Sequence, residues 1–384
     1  MFALILCRDA TILFESHHLE HSQTAVVFAL QNKLQLIGEL ESQHVEGGNP
    51  NFYLSLRRRV HERLTKLKMS SFYGTRYIAV EATFFIVFYL ALSFLVGIYA
   101  SFPLAILLGF ANGRLGFIMH CGNHCSASRT PLVNTLAGLC LNLVGASSLI
   151  WRYQHQVAHH MYPNDPDRDQ DCHSGKPYVR FHPKHKHFQW HCMNPLTTLA
   201  GMCVVLLKWF FEDFELFFRQ RTAGTRMEIR PRDWVGLFVT KFQWVLLHVV
   251  FPAYFHDIRT VLALNGVFLA TGAYYLSGTF IVNHIQEGLI ADPRRHWAER
   301  QVLASSNWAA GSVFWNWASG GLNHQIEHHL FPSMSIYCYP YVHDIVVATC
   351  KEYDLPYRAY PSYSVALYNT LKYLYRLGVK AQFE

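Results

Sequence analysis

Gly320-Gly321-Leu322-Asn323-His324-Gln325-Ile326-Glu327-His328-His329-Leu330-Phe331-Pro332 is the stretch that decides how the rest of the chain is read. Gln325, His328 and His329 stand at i, i+3 and i+4, a spacing that stacks side chains on one face of a helix. Neutral imidazole is a first-choice ligand for iron, zinc or copper. Matching ligands occur elsewhere. His120 and His124 form an i, i+4 pair, and His155, His159 and His160 form a second box behind Trp151-Arg152-Tyr153. A further His284 follows Asn283. One such pair means little in a chain with 23 His, but boxes of HxxxH, HxxxHH and QxxHH spacing reinforce one another. Eight His and one Gln exceed what a single metal uses. Two irons need about this many nitrogen ligands when carboxylates are absent from the site.

The boxes are separated by apolar segments. Of 384 residues, 51% are apolar and only 15% charged, against about 25% charged in soluble domains. Aromatic residues are abundant, as where Trp and Tyr anchor helices at a bilayer surface. Four stretches are long enough to cross about 30 Å of hydrocarbon: 77–100, 104–119, 234–255 and 258–282. They read as two hairpins. Arg114, near the end of the second span, is expected to snorkel toward the interface. The apolar stretches 131–150 and 195–211 cannot each cross once if all boxes share one side, so both are expected to lie in plane or half-inserted. Lys and Arg concentrate in 151–232 and the C-terminal tail, which places the boxes on the cytosolic side. A basic run from Arg57 to Lys68 lies in a segment, 41–76, that reads as a linker orienting the chain before its first span.

The net charge of +7 suits an anionic membrane face or acidic head groups, and no basic-aromatic nucleic-acid motif is present. Nine Cys scattered through apolar runs fit small buried hydrophobes of a reducing compartment. Met1–Cys7 is too short, and lacks the basic flank, for a signal peptide. No nucleophile elbow, P-loop or dinucleotide fingerprint occurs. His182, His185, His187 and His191 are irregularly spaced in a polar Pro-Lys segment and read as surface. His120, Cys121, His124 and Cys125 on one helix cannot surround a tetrahedral zinc ion. Asp165, Asp167 and Asp169 read as a solvated loop that orients the second box. His61, His248, His256 and His296 are assigned structural roles.

The order and spacing of the boxes resemble the membrane fatty-acid desaturase family, and Gln325 at the head of box three resembles its front-end branch. Supporting strings are Tyr162-Pro163-Asn164-Asp165-Pro166-Asp167, similar to the family's Y-T-N-x-D-P-D, with Ser305-Ser306-Asn307-Trp308 and Gly320-Gly321-Leu322-Asn323. The likeness covers roughly residues 70–375. Residues 1–40 contain Arg8-Asp9-Ala10-Thr11-Ile12-Leu13-Phe14, similar to the trailing half of a cytochrome b5 domain, with His18 at the family's second haem ligand and His17 the lesser match. The His-Pro-Gly-Gly of the other ligand does not occur, so this segment reads as a truncated remnant and no haem is expected.

The resemblance implies an all-α membrane protein with four transmembrane helices, in-plane helices and a cytosolic helical cap holding a di-iron site, the catalytic domain being 77–384. It implies that His120, His124, His155, His159, His160, His284, His328 and His329 ligate two non-haem irons, with Gln325 at or beside them. It also implies O2-dependent insertion of a cis double bond into a long polyunsaturated acyl chain carried by a membrane lipid or CoA. Electrons would come from a separate cytochrome b5 and its reductase, at the endoplasmic reticulum. The apolar stretch 131–150 and the span ends are expected to line the acyl tunnel. The family usually carries Asp after the first His of box one, where this chain has Cys121, a poorer hydrogen-bond acceptor. A sphingolipid long-chain-base desaturase shares these boxes, and an inactive desaturase-like membrane subunit is the non-enzymatic alternative.

Overall fold

The computed structural model describes residues 48–222, 225–289 and 292–379. The cytochrome b5-like segment, with His17 and His18, lies outside them. Helix dominates, and the strands among the described residues are two-residue pairs, one joining Asn307–Trp308 to Ala359–Tyr360.

The segment read as a linker is a helix. Helix α1 (Pro50–Lys66) starts on a proline, whose missing N–H costs nothing in a first turn, and Asn49 caps it by accepting from the Asn51 N–H. Phe52, Leu56, Val60 and Leu64 recur every four residues and are buried, which lays one face of α1 on the C-terminal part of the chain. Arg59 pairs with Glu352 at 2.7 Å and Arg63 with Asp344 at 2.9 Å, so part of the basic run is tied to the same element.

Helices α2 (Thr75–Tyr99) and α3 (Phe102–Asn123) follow, joined by Ala100 and Ser101. Helix α2 exposes Val80, Phe84, Val87 and Tyr99, apolar surface that suits lipid rather than water. Helix α3 is mostly buried. Next comes a pair, Pro131–Leu143 and Ser148–His159, bent by 114° at its break. Helix α4 (Asn194–Arg219) leads through a short strand pair to α5 (Pro231–Val245). The chain stays helical to Ala253 and turns at Asp257, whose side chain caps α6 (Ile258–His284).

Contacts fix the directions. Tyr89 meets His248, and Phe94 meets Phe251, so α2 and the α5 segment run the same way. Gly109 lies against Phe268 and Thr271, and Gly116 against Leu276, so α3 and α6 run together in the opposite sense. The two hairpins expected from the sequence are therefore present, and both box-bearing helices end at one face. A Cβ on Gly109 would sit 2.7 Å from the Phe268 carbonyl oxygen, so the α3–α6 approach requires glycine there.

By length and composition five helices can cross a membrane, one more than the four expected. The addition is α4, longer than the apolar stretch 195–211 suggested. Its first turn is tied through Asn194 to Arg180 and Leu374. Its last turn packs Phe217 with Ile150 and Tyr153, just before box two. Both ends thus lie beside the segments that carry or flank the boxes. Arg114 does not snorkel. It is 3% exposed, contacts Glu81 of α2 and the Trp317 carbonyl, and donates to the Ala318 carbonyl at 3.2 Å.

The last third of the chain covers the helix ends. A short helix, Val313–Ala318, precedes the quoted stretch, which forms a 3-10 turn over 322–324 and then α7 (Gln325–Leu330). Helices α8 (Tyr339–Glu352) and α9 (Tyr363–Val379) close the cover.

Candidate metal centre

The boxes converge. The ligating atoms of His120, His124, His155 and His328 lie within 4.8 Å of one another, and so do those of His159, His284 and His329. His160 sits between the groups, its Nε2 3.2 Å from that of His155 and its ring stacked on His329 at 4.4 Å. Gln325 places its Nε2 2.8 Å from His284 Nε2. All nine residues singled out from the sequence share one site.

The local winding differs from the α spacing assumed at the outset. Box two lies on a π-helix, Arg152–His159, where the His160 N–H donates to the His155 carbonyl five residues back. A wider turn brings i and i+5 together, so His155 faces His160 as well as His159; such turns gather at functional sites. On α7 adjacent residues point about 100° apart. His328 accordingly joins the first group and His329 the second.

The surrounding residues hold one nitrogen of a ring and leave the other facing inward. His159 Nδ1 is 3.0 Å from Asp169, His284 Nδ1 donates to the Ala304 carbonyl at 3.0 Å, and His329 Nδ1 donates to Gln301 at 2.8 Å. His328 Nδ1 lies 3.2 Å from the Tyr339 hydroxyl. A bond at Nδ1 fixes the tautomer and presents the Nε2 lone pair. His120 Nε2, buried in the centre, has no hydrogen-bond partner among the described residues. These residues fit transition-metal ions: imidazole nitrogen donors, anchored from behind, at ligand-to-ligand spacing. Burial first, and then the imidazoles of His284 and His159, push His329 well below the ordinary imidazole range, which keeps it neutral.

Asp169 is wholly buried, unlike the solvated loop expected of it. Burial alone would raise its carboxyl. The His159 imidazole and the N–H groups of Asp171 and Asn164 hold it below the usual carboxylate range. Asp165, by contrast, is engaged in its own turn, accepting from the Asp167 and Arg168 N–H groups. Gln301, Tyr339 and the Ala304 carbonyl carry no spacing signal and were not foreseen. Asp171, 3.5 Å from His159 on the open side of the site, was also missed. Cys121 is buried in the apolar core, and no hydrogen bond joins its thiol to an imidazole among the described residues. His182, His185, His187 and His191 stay outside the centre; His187 and His191 bond to the Gly378 and Pro177 carbonyls.

Two cavities meet at the histidines. A narrow one of about 70 Å³ touches His120, His155, His159, His284 and Gln325, walled by Phe117, Leu276 and Phe280. A larger one of about 360 Å³ runs from His284 between α4 and α6, past Gly201, Val204 and Ile281. Asp171, Lys208, Trp209 and Phe280 line both. Of the wall expected for an acyl chain, the span ends line the narrow cavity through Phe117, Leu276 and Phe280, while residues 131–150 line neither of these two; α4 borders both.

A family model described as fatty acid desaturase matches residues 97–361. The chain is 32% identical to a chloroplastic acyl-lipid (7-3)-desaturase of Chlamydomonas reinhardtii, over 99% of this chain and 76% of that one. It is 29% identical to an acyl-lipid (8-3)-desaturase of Physcomitrium patens, over 97% and 82%. A Delta(5) fatty acid desaturase A of Dictyostelium discoideum is 28% identical over 97% and 84%. With the matched span enclosing every box, the chain belongs to the fatty acid desaturase family, among relatives of the front-end type, and is an oxidoreductase acting on acyl lipids.

Proposed function

We propose that the protein inserts a cis double bond into a long-chain polyunsaturated acyl lipid, between the carboxyl end and an existing double bond. The observation that carries this reading is the pair of histidine groups opening onto apolar cavities, in a chain whose relatives are named acyl-lipid desaturases. His120, His124, His155 and His328 would hold one iron; His159, His284 and His329 would hold the other, with His160 between them. The bound irons supply the oxidant that an unactivated methylene needs, which side chains cannot provide. The balance is one acyl CH2–CH2 and O2, with two electrons and two protons from outside, giving CH=CH and two waters.

The chain's own residues do the rest. Phe117, Leu276 and Phe280 would hold the acyl chain straight past the histidines and exclude water from them. Asp169, Gln301 and Tyr339 keep the imidazoles oriented. Electrons are assigned to a separate cytochrome b5 and its reductase, and O2 to the co-substrate. We assign four spans, with α4 half-inserted, because its two ends lie beside segments of one face. The site then faces the cytosol, with the endoplasmic reticulum as the host membrane. The test is expression in yeast fed a panel of polyunsaturated acids, with double bonds located by mass spectrometry. A new bond on the carboxyl side of an existing one is expected. No new product, or one on the methyl side only, would overturn the reading.

A further inference from the structure

Directly behind box three lies a second polar cluster that the histidine boxes do not use. The ligating atoms of His324, Glu327 and His343 lie within 4.8 Å of one another. Glu327 and His324 are wholly buried, and the His343 side chain is 29% exposed. They come from the 3-10 turn, α7 and α8, three elements of the cover.

Glu327 is nearly saturated. Its Oε1 lies 2.9 Å from His343 Nδ1 and accepts from the Tyr357 hydroxyl at 2.8 Å, and its Oε2 accepts from Asn307 Nδ2 at 2.6 Å. A carboxylate has about four lone-pair sites, so one remains, on Oε2. His324 faces that oxygen from 3.8 Å, beyond hydrogen-bond reach. Neither ring nitrogen of His324 has a hydrogen-bond partner among the described residues. Burying a polar group unpaired is costly, about 1–3 kcal/mol, so this geometry calls for an occupant. The inward His120 Nε2 at the main centre carries the same signature.

We propose that His324, Glu327 and His343 form a third metal site, separate from the two histidine groups and built for a borderline divalent ion, zinc foremost. Two imidazoles and one carboxylate are a recognised zinc donor set, with the fourth position left to water or another oxygen. The Tyr357 hydroxyl, 3.1 Å from His343 Nδ1, is the neighbouring protein oxygen. Calcium and magnesium prefer all-oxygen sites and do not match. The ion would pin α7, which carries His328 and His329, to α8. This proposal does not rest on the desaturation reading, because its test counts metal rather than product.

The experiment uses the full-length protein, purified in detergent, loaded with Fe2+, exposed to excess Zn2+ and desalted. Iron plus zinc per chain is then measured by elemental mass spectrometry for wild type and His343→Ala, a partly exposed position. The wild type should retain one more equivalent than the variant, whatever the occupancy of the main centre. Zinc-edge absorption of the wild type should show two imidazole nitrogens with oxygen neighbours. Equal totals in the two proteins, or a wild type that keeps no zinc with that signature, would overturn the proposal. The wild-type spectrum decides the matter by itself should the variant fail to fold.

Discussion

His159 is engaged at both nitrogens, Nδ1 by Asp169 and Nε2 at 3.2 Å by His329. Removing the charge at Asp169 while keeping its shape isolates that anchor. Asp169→Asn should lower iron retention and product yield by about 10–100-fold, the usual scale for a residue that orients a ligand. Asp165→Asn, outside the centre, should leave both near wild type; elemental analysis and product assay of the two variants side by side check this. If Asp169→Asn kept full iron, the anchoring role would have to be given up. Eight of the nine ligand-type residues were legible because each box is local, its spacing readable within six residues, and because apolar spans of the right parity separate the boxes; His284 showed itself by its place at the end of the fourth span. Their supports were not. Gln301 lies 28 residues from His329 in sequence, Tyr339 lies 11 from His328, and Ala304 lies 20 from His284. No pattern in the sequence links such pairs; only the fold does.

Helix α1 shows how a charge run can hide a core element. Arg57 to Lys68 drew attention to one face, while Phe52, Leu56, Val60 and Leu64 recur on another. Which face matters is a question of magnitude. Leu56 is fully buried, so Leu56→Ala should cost about 2–5 kcal/mol. Arg63→Ala breaks a pair whose carboxylate is 63% exposed and should cost less than about 1 kcal/mol. Thermal unfolding of the detergent-solubilised variants will rank them in that order; the reverse order would mean that charge, not packing, holds α1 down. The α3–α6 contact makes the same point more sharply. At Gly109 the neighbour is backbone, which cannot rotate away. Gly109→Val should destabilise by at least the roughly 1–3 kcal/mol of core overpacking, and should cost iron as well, since α3 carries His120 and α6 carries His284. The two hairpins themselves were readable from hydrophobic length and turn residues. The π-turn of box two was not, because its residues suit α winding equally well.

The whole molecule places a lipid-facing frame beneath a cover of short helices, with the larger cavity lined by α4, α6 and the segment 171–181. Gly201 borders that cavity, and an added Cβ there meets no atom within 4 Å. Gly201→Trp should therefore leave folding and iron content intact while turnover falls about tenfold or more, the scale of a misfit in an apolar pocket. Unchanged turnover would move the acyl chain out of this cavity. Arg114 ties the frame to the cover. Its contacts with Glu81 below and the Trp317 and Ala318 carbonyls above act as a rivet through both layers. Prising the layers apart would strand a cation in apolar surroundings, at a cost of several kcal/mol. A roof riveted in this way holds the end of the short helix Val313–Ala318, and the glycine turn into box three behind it, in register with the membrane helices below.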